Sequence, residues 1–313
     1  TVTVFTMSSP WLSKAWKQLS HQLSEDSFPQ SLLLRGEKGL GKLQLAKSVA
    51  KTILCSEQKH QACNQCHSCQ LVDSGAHGSL FLLEQEKPKV DDIRALSLWA
   101  NKTSSFGSSK VAIISDIGAL NTASNNALLK TLEEPVADTH FILVNHLPFK
   151  AMPTIMSRCQ VLNIATPEQS WVKQWLVKQK LRVDENFALI YRFCNGSPLQ
   201  IKEFYREQQF TQLEQFIHQY QLMVQAKTNK LADLVHKQPL YLQWLGHCLT
   251  LSFSLAKGLA NRDDVPQFAV VSTKDKTIEL AYQDWLDLCK QWETFPGLNL
   301  GQQLYPLISR FKD

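Results

Sequence analysis

Between the apolar run Leu32-Leu33-Leu34 and a helical pattern that begins at Leu43 stand seven residues, Gly36-Glu37-Lys38-Gly39-Leu40-Gly41-Lys42, of the form G-x-x-x-x-G-K. A strand, such a loop and a helix in that order predict a sheet strand whose end turns tightly into a helix N-terminus. The chemistry that uses this arrangement is triphosphate binding. Glycines let backbone N–H groups turn inward on phosphate oxygens, the lysine adds a point charge, and the helix adds its dipole. A glycine turn without a ligand is the plainer reading of Gly36, Gly39, Gly41 and Lys42; the strand–loop–helix setting weighs against it.

The pattern breaks at its last position. Where a Ser or Thr would place a hydroxyl on Mg²⁺, the chain has Leu43, whose isobutyl group cannot coordinate a metal. The strand expected to end in an acidic pair reads Ile113-Ile114-Ser115-Asp116, with one acid. The phosphate cradle is expected to survive while the metal-holding and water-activating parts do not.

Strand-sized apolar runs at 32–35, 79–83, 111–115, 141–145 and 161–164 alternate with helical patterns at 43–54, 90–101 and 121–133, which predicts a parallel sheet with helices on its faces. After Pro167 the pattern becomes helical. Trp171, Trp175 and Leu176, then Phe187, Ile190, Tyr191 and Cys194, recur at helical spacing, and the two tryptophans are expected in the core. The turn Asn195-Gly196-Ser197-Pro198 ends one helix and starts the next. Three domains are predicted: an α/β domain over 1–166, a small helical domain over 167–206 and an all-helical domain over 207–313, with breaks near Pro239, Val265-Pro266 and Pro296-Gly297.

Four of the eight cysteines, Cys55, Cys63, Cys66 and Cys69, fall within fifteen residues, while the other four are scattered. The spacing puts four thiols within reach of one tetrahedral ion, and structural Zn²⁺ is the reading for such a set. An iron–sulfur cluster is the runner-up, weakened because no fourth cysteine followed by proline completes the ferredoxin run. His60 and His67 offer substitute ligands. Scattered cysteines and an amino terminus without a secretory pattern predict a reduced, cytoplasmic compartment. No apolar stretch is long enough for a membrane span. A net charge of +5 over 313 residues is too mild for a dedicated nucleic-acid binder.

The tract Asn126-Ala127-Leu128-Leu129-Lys130-Thr131-Leu132-Glu133-Glu134-Pro135, a strand ending at Asn145, and then Ser157-Arg158-Cys159 resemble the clamp-loader branch of the AAA+ ATPases. With the four-cysteine insertion after the first helix of the sheet, the chain is similar to the bacterial DNA polymerase III clamp-loader subunits. The resemblance covers residues 11 to about 206 with specific motifs and the helical remainder only by general architecture.

It implies an AAA+ P-loop domain, a helical lid domain and a helical oligomerisation domain, or collar. It also implies a subunit that does not turn over ATP and sits in a ring with gamma/tau and delta subunits, loading the sliding clamp on primed DNA. Arg158 then matches the arginine finger offered to a neighbour's ATP site. An active subunit should offer an arginine to its own nucleotide just after Gly196-Ser197, where this chain has Leu199. Three rivals stand beside this reading: an ordinary surface role for Arg158, an ATP-hydrolysing subunit of gamma/tau type that tolerates Leu43, and a zinc-containing scaffold or nucleic-acid adaptor outside replication.

Overall fold

The computed structural model describes residues 9–58, 61–85, 88–102, 109–147, 151–225, 231, 235, 239–260, 275–294 and 300–311. The amino terminus read for export, His60, Val265-Pro266 and Pro296-Gly297 lie outside them. The chain divides into two compact units, Thr1–Pro167 and Glu168–Asp313.

The first unit is built on five strands: β1 (Ser31–Glu37), β2 (Leu80–Leu83), β3 (Lys110–Ile114), β4 (Thr139–Leu147) and β5 (Gln160–Asn163). Their order in the sheet is β2-β3-β4-β1-β5, and the neighbours are parallel. The alternating runs therefore form the parallel sheet expected of them. Among the described residues this unit has six α-helices: α1 (Ser13–Ser24), α2 (Lys42–Ile53), α3 (His67–Asp73), α4 (Val90–Ala100), α5 (Thr122–Glu133) and α6 (Pro153–Met156).

Side chains alternate across a strand, so β1 feeds two cores. Leu32 and Leu34 pack with Ile142, Val144 and Ile113 against Leu45, Ala46 and Val49 of α2 and Leu19 of α1. Leu33 points the other way, joining Phe141, Leu143 and Ile114 against Ile93 and Leu96 of α4, Leu128 and Leu132 of α5, and Ile155 of α6. Thus α2 and α6 cover opposite faces of the sheet. Asn121 caps α5 by accepting the Ser124 N–H at 2.8 Å, and the chain leaves that helix at Glu134-Pro135 because proline cannot continue it.

The second unit is helical throughout its described residues. It contains α7 (Gln169–Lys178), α8 (Phe187–Phe193), α9 (Pro198–Arg206), α10 (Phe210–Val224), α11 (Pro239–Ala256), α12 (Asp275–Thr294) and α13 (Leu300–Ser309). The predicted turn is present, with Asn195 and Gly196 left-handed at φ 50° and 65°, Ser197 at the N-cap of α9 and Pro198 in its first turn. Phe193 of α8 stands edge-on to Trp244 of α11, and Gln243 donates to the Phe193 carbonyl at 2.9 Å. Gly246 lies where α11 meets α12; a Cβ there would come within 2.5 Å of the Trp285 ring. Of the two tryptophans expected in the core, Trp175 is buried but Trp171 is 39% exposed, because only the former lies on the face of α7 that packs inward. No described helix is long and apolar enough to cross a membrane.

Candidate functional site

The glycine loop leaves β1 and enters α2 directly. Gly39 and Gly41 take φ of 82° and 79°, the left-handed region that glycine enters without strain, and Gly41 is the N-cap of α2. Gly36 is required for a different reason: a Cβ there would lie 2.6 Å from the Ile164 carbonyl oxygen.

Lys42 is almost wholly buried, and its Nζ donates to the carbonyls of Gly36 at 2.7 Å and Glu37 at 2.5 Å. Burial pushes its pKa down to about 8 against the opposing pull of Glu37 and Asp116. Leu43, in the first turn of α2, is partly buried against the core that α1 and α2 share, so the hydroxyl position of the motif is occupied by hydrocarbon. Trp11 Nε1 donates to the Leu40 carbonyl at 2.8 Å, tying the segment before α1 to the loop.

Asp116 accepts the Gly118 N–H at 2.9 Å as the cap of a 3-10 turn. Burial raises its carboxyl pKa, opposed by that N–H and by Lys38 and Lys42. It serves as a turn cap. Two residues adjoin the loop at the end of β4: Asn145, read from sequence only as the end of a strand, and His146, which no sequence pattern singled out. His146 pairs in register with Gly36, and burial, then Lys42 and Lys38, push its pKa down to about 3, leaving a neutral ring. Asn145 pairs with Arg35 and is fully buried, with neither amide atom partnered among the described residues.

The four expected cysteines come together. Their sulfurs all lie within 4.8 Å of one another, with Cys55–Cys66 at 3.9 Å and Cys63–Cys69 at 4.0 Å. A tetrahedral Zn²⁺ with Zn–S of about 2.3 Å needs sulfurs about 3.8 Å apart, so the set fits that ion. Cys66 caps α3 by accepting the Cys69 N–H at 3.4 Å. Burial raises the Cys66 pKa, but donors from Ser56, Cys69 and Cys63 outweigh it and bring it to about 5, whereas burial pushes the Cys69 thiol up to about 12.

Behind the thiols lies a hydrogen-bond chain that the spacing did not reveal. The Ser79 N–H donates to His77 Nδ1 at 3.1 Å, which fixes the proton on Nε2; that nitrogen meets Ser68 Oγ at 2.8 Å, and Ser68 donates to the Leu54 carbonyl. It joins α3, the end of α2 and the start of β2.

Arg158 sits past α6 on the sheet face opposite α2, apart from the glycine loop of its own chain. Its Nη1 donates to the Thr154 carbonyl at 2.8 Å and contacts Ser157 Oγ at 3.3 Å; its Nη2 meets Glu133 Oε1 at 2.5 Å. About a third of the side chain is exposed.

A family model described as DNA polymerase III, delta subunit, matches residues 11–168. The chain is similar to DNA polymerase III subunit delta' of Pseudomonas aeruginosa, 31% identical over 295 residues and 88% of each chain. It is 32% identical to the Haemophilus influenzae subunit delta' over 67% of this chain and 65% of that one. With the Escherichia coli subunit delta' it shares 31% identity over 60% of this chain, a stretch spanning 58% of that relative.

Proposed function

Given that the chain belongs to the DNA polymerase III delta-prime subunit family, we propose that it is a clamp-loader ring subunit that does not hydrolyse ATP and supplies Arg158 in trans to an adjacent gamma/tau ATP site. The ring would load the sliding clamp on primed DNA in the cytoplasm. The observation that carries the non-hydrolysing part is the state of the loop: Lys42 bonded to the Gly36 and Glu37 carbonyls, with Leu43 packed into hydrocarbon. A triphosphate would have to win the lysine from those carbonyls and would find no hydroxyl for its metal. Productive ATP binding is therefore not part of the proposal.

The placement of Arg158 supports donation to a neighbour, because α6 and the loop's helix α2 lie on opposite faces of the sheet. A guanidinium in that role stabilises charge on the transferring phosphoryl group. Zinc on Cys55, Cys63, Cys66 and Cys69 would be structural, since four protein ligands leave no position for water or substrate. Residues 167–206 are proposed as the lid and 207–313 as the collar through which the ring assembles. An ATP-hydrolysing reading draws on the retained glycines, Lys42 and Asp116 as the only acid, and Asp116 is a turn cap.

Assembly is the first test. Mixed with gamma/tau and delta subunits, the full chain is expected to elute from a sizing column in one complex with both. Elution at its own monomer volume from that mixture contradicts the assignment to the ring.

A further inference from the structure

We propose that Glu133 is a positioning residue for Arg158: its carboxylate parks the guanidinium in the free subunit and must release it before the arginine can serve a neighbouring site. The inference rests on the reading of Arg158 as a finger given above.

Three contacts, all within this chain, occupy both terminal nitrogens of Arg158. Nη1 holds the Thr154 carbonyl and Ser157 Oγ, and Nη2 holds Glu133 Oε1 at 2.5 Å. Ser157 Oγ is itself fixed, donating to the Thr154 carbonyl at 3.0 Å. Glu133 is the last residue of α5, at the end of the helix where the dipole favours cations and disfavours acids. Arg158 brings a second cation to this end, beside Lys130 of the helix's own last turn.

The pair is also exchangeable. Side-chain exposures of 34% for Arg158 and 47% for Glu133 leave it in contact with water, where such pairs are weak and screened by salt. A phosphoryl group brought up by a neighbour carries more charge than a carboxylate and competes for the same Nη2 donor. The two anions repel each other, so the arginine turns to one or the other.

Glu133→Gln keeps the side chain's shape and removes its charge. In the assembled loader without clamp or DNA, this variant is expected to raise ATP turnover about twofold to fivefold, in kcat with KM unchanged. The gain should shrink at high salt, which screens the wild-type pair. The experiment compares E133Q, R158A and the double variant in the same loader preparation.

A rise with E133Q that vanishes in the double variant supports the parking role. Unchanged or lowered turnover with E133Q, while R158A still lowers it, overturns parking and leaves the finger standing. A rise that persists in the double variant means that Glu133 acts elsewhere and overturns the proposal. Wild-type turnover with R158A overturns the finger reading and the parking role with it.

Discussion

Arg158→Ala is expected to cut ATP hydrolysis at the neighbouring site by about 10³-fold, the lower end of what a guanidinium supplied in trans contributes to phosphoryl transfer. Total turnover of the loader then falls to that of the sites Arg158 does not serve. The chain's own fold is not at stake, because the side chain is partly exposed and its contacts are with surface groups on α5 and α6. Arg158→Lys separates charge from geometry. A lysine keeps the positive charge but not the planar fork, so it should recover only a small part of the loss. Turnover of either variant equal to wild type, in a complex shown to be intact by sizing, would contradict the assignment.

The second large effect concerns the cysteines. Purified under reducing conditions, the chain is expected to carry one zinc, read by elemental analysis. Cys66→Ser should remove it. The four thiols span fifteen residues, and closing a loop of that length contributes about 3 kcal/mol in the chain-entropy account of cross-links. For a unit of this size that corresponds to a fall in melting temperature of about 6–12 °C. Iron in place of zinc would point to the cluster reading. A metal-free chain with an unchanged melting temperature would remove the structural role altogether.

How far the sequence reaches can be judged from particular residues. Leu32, Leu33 and Leu34 announce a strand buried on both faces, and the structure divides them between the two cores. The four cysteines were legible because helix α3 and its preceding turn are local, so spacing alone brings the sulfurs together. The turn at Asn195-Gly196-Ser197-Pro198 was legible for the same reason.

Pairings across the chain were not. Glu133 and Arg158 are separated by 25 positions and meet only because α5 and α6 pack on one face of the sheet. Ser68, His77 and the Leu54 carbonyl form their chain because β2 begins beside α3. The motif marks Lys42 as a phosphate ligand, but periodicity cannot say that its ammonium turns back on the loop carbonyls. Trp171 carries the same apolar signal as Trp175, and which of them faces the core depends on how α7 is set against its neighbours.

The central claim is that the chain acts on ATP only through a partner. Its most direct test is ATP turnover by the full chain alone and mixed with gamma/tau and delta subunits, with clamp and primed DNA present. The account predicts no turnover by the chain alone and turnover in the mixture that Arg158→Ala lowers to that of the sites Arg158 does not serve. Robust turnover by the isolated chain would contradict it, showing that the loop hydrolyses ATP despite Leu43 and the single acid at Asp116.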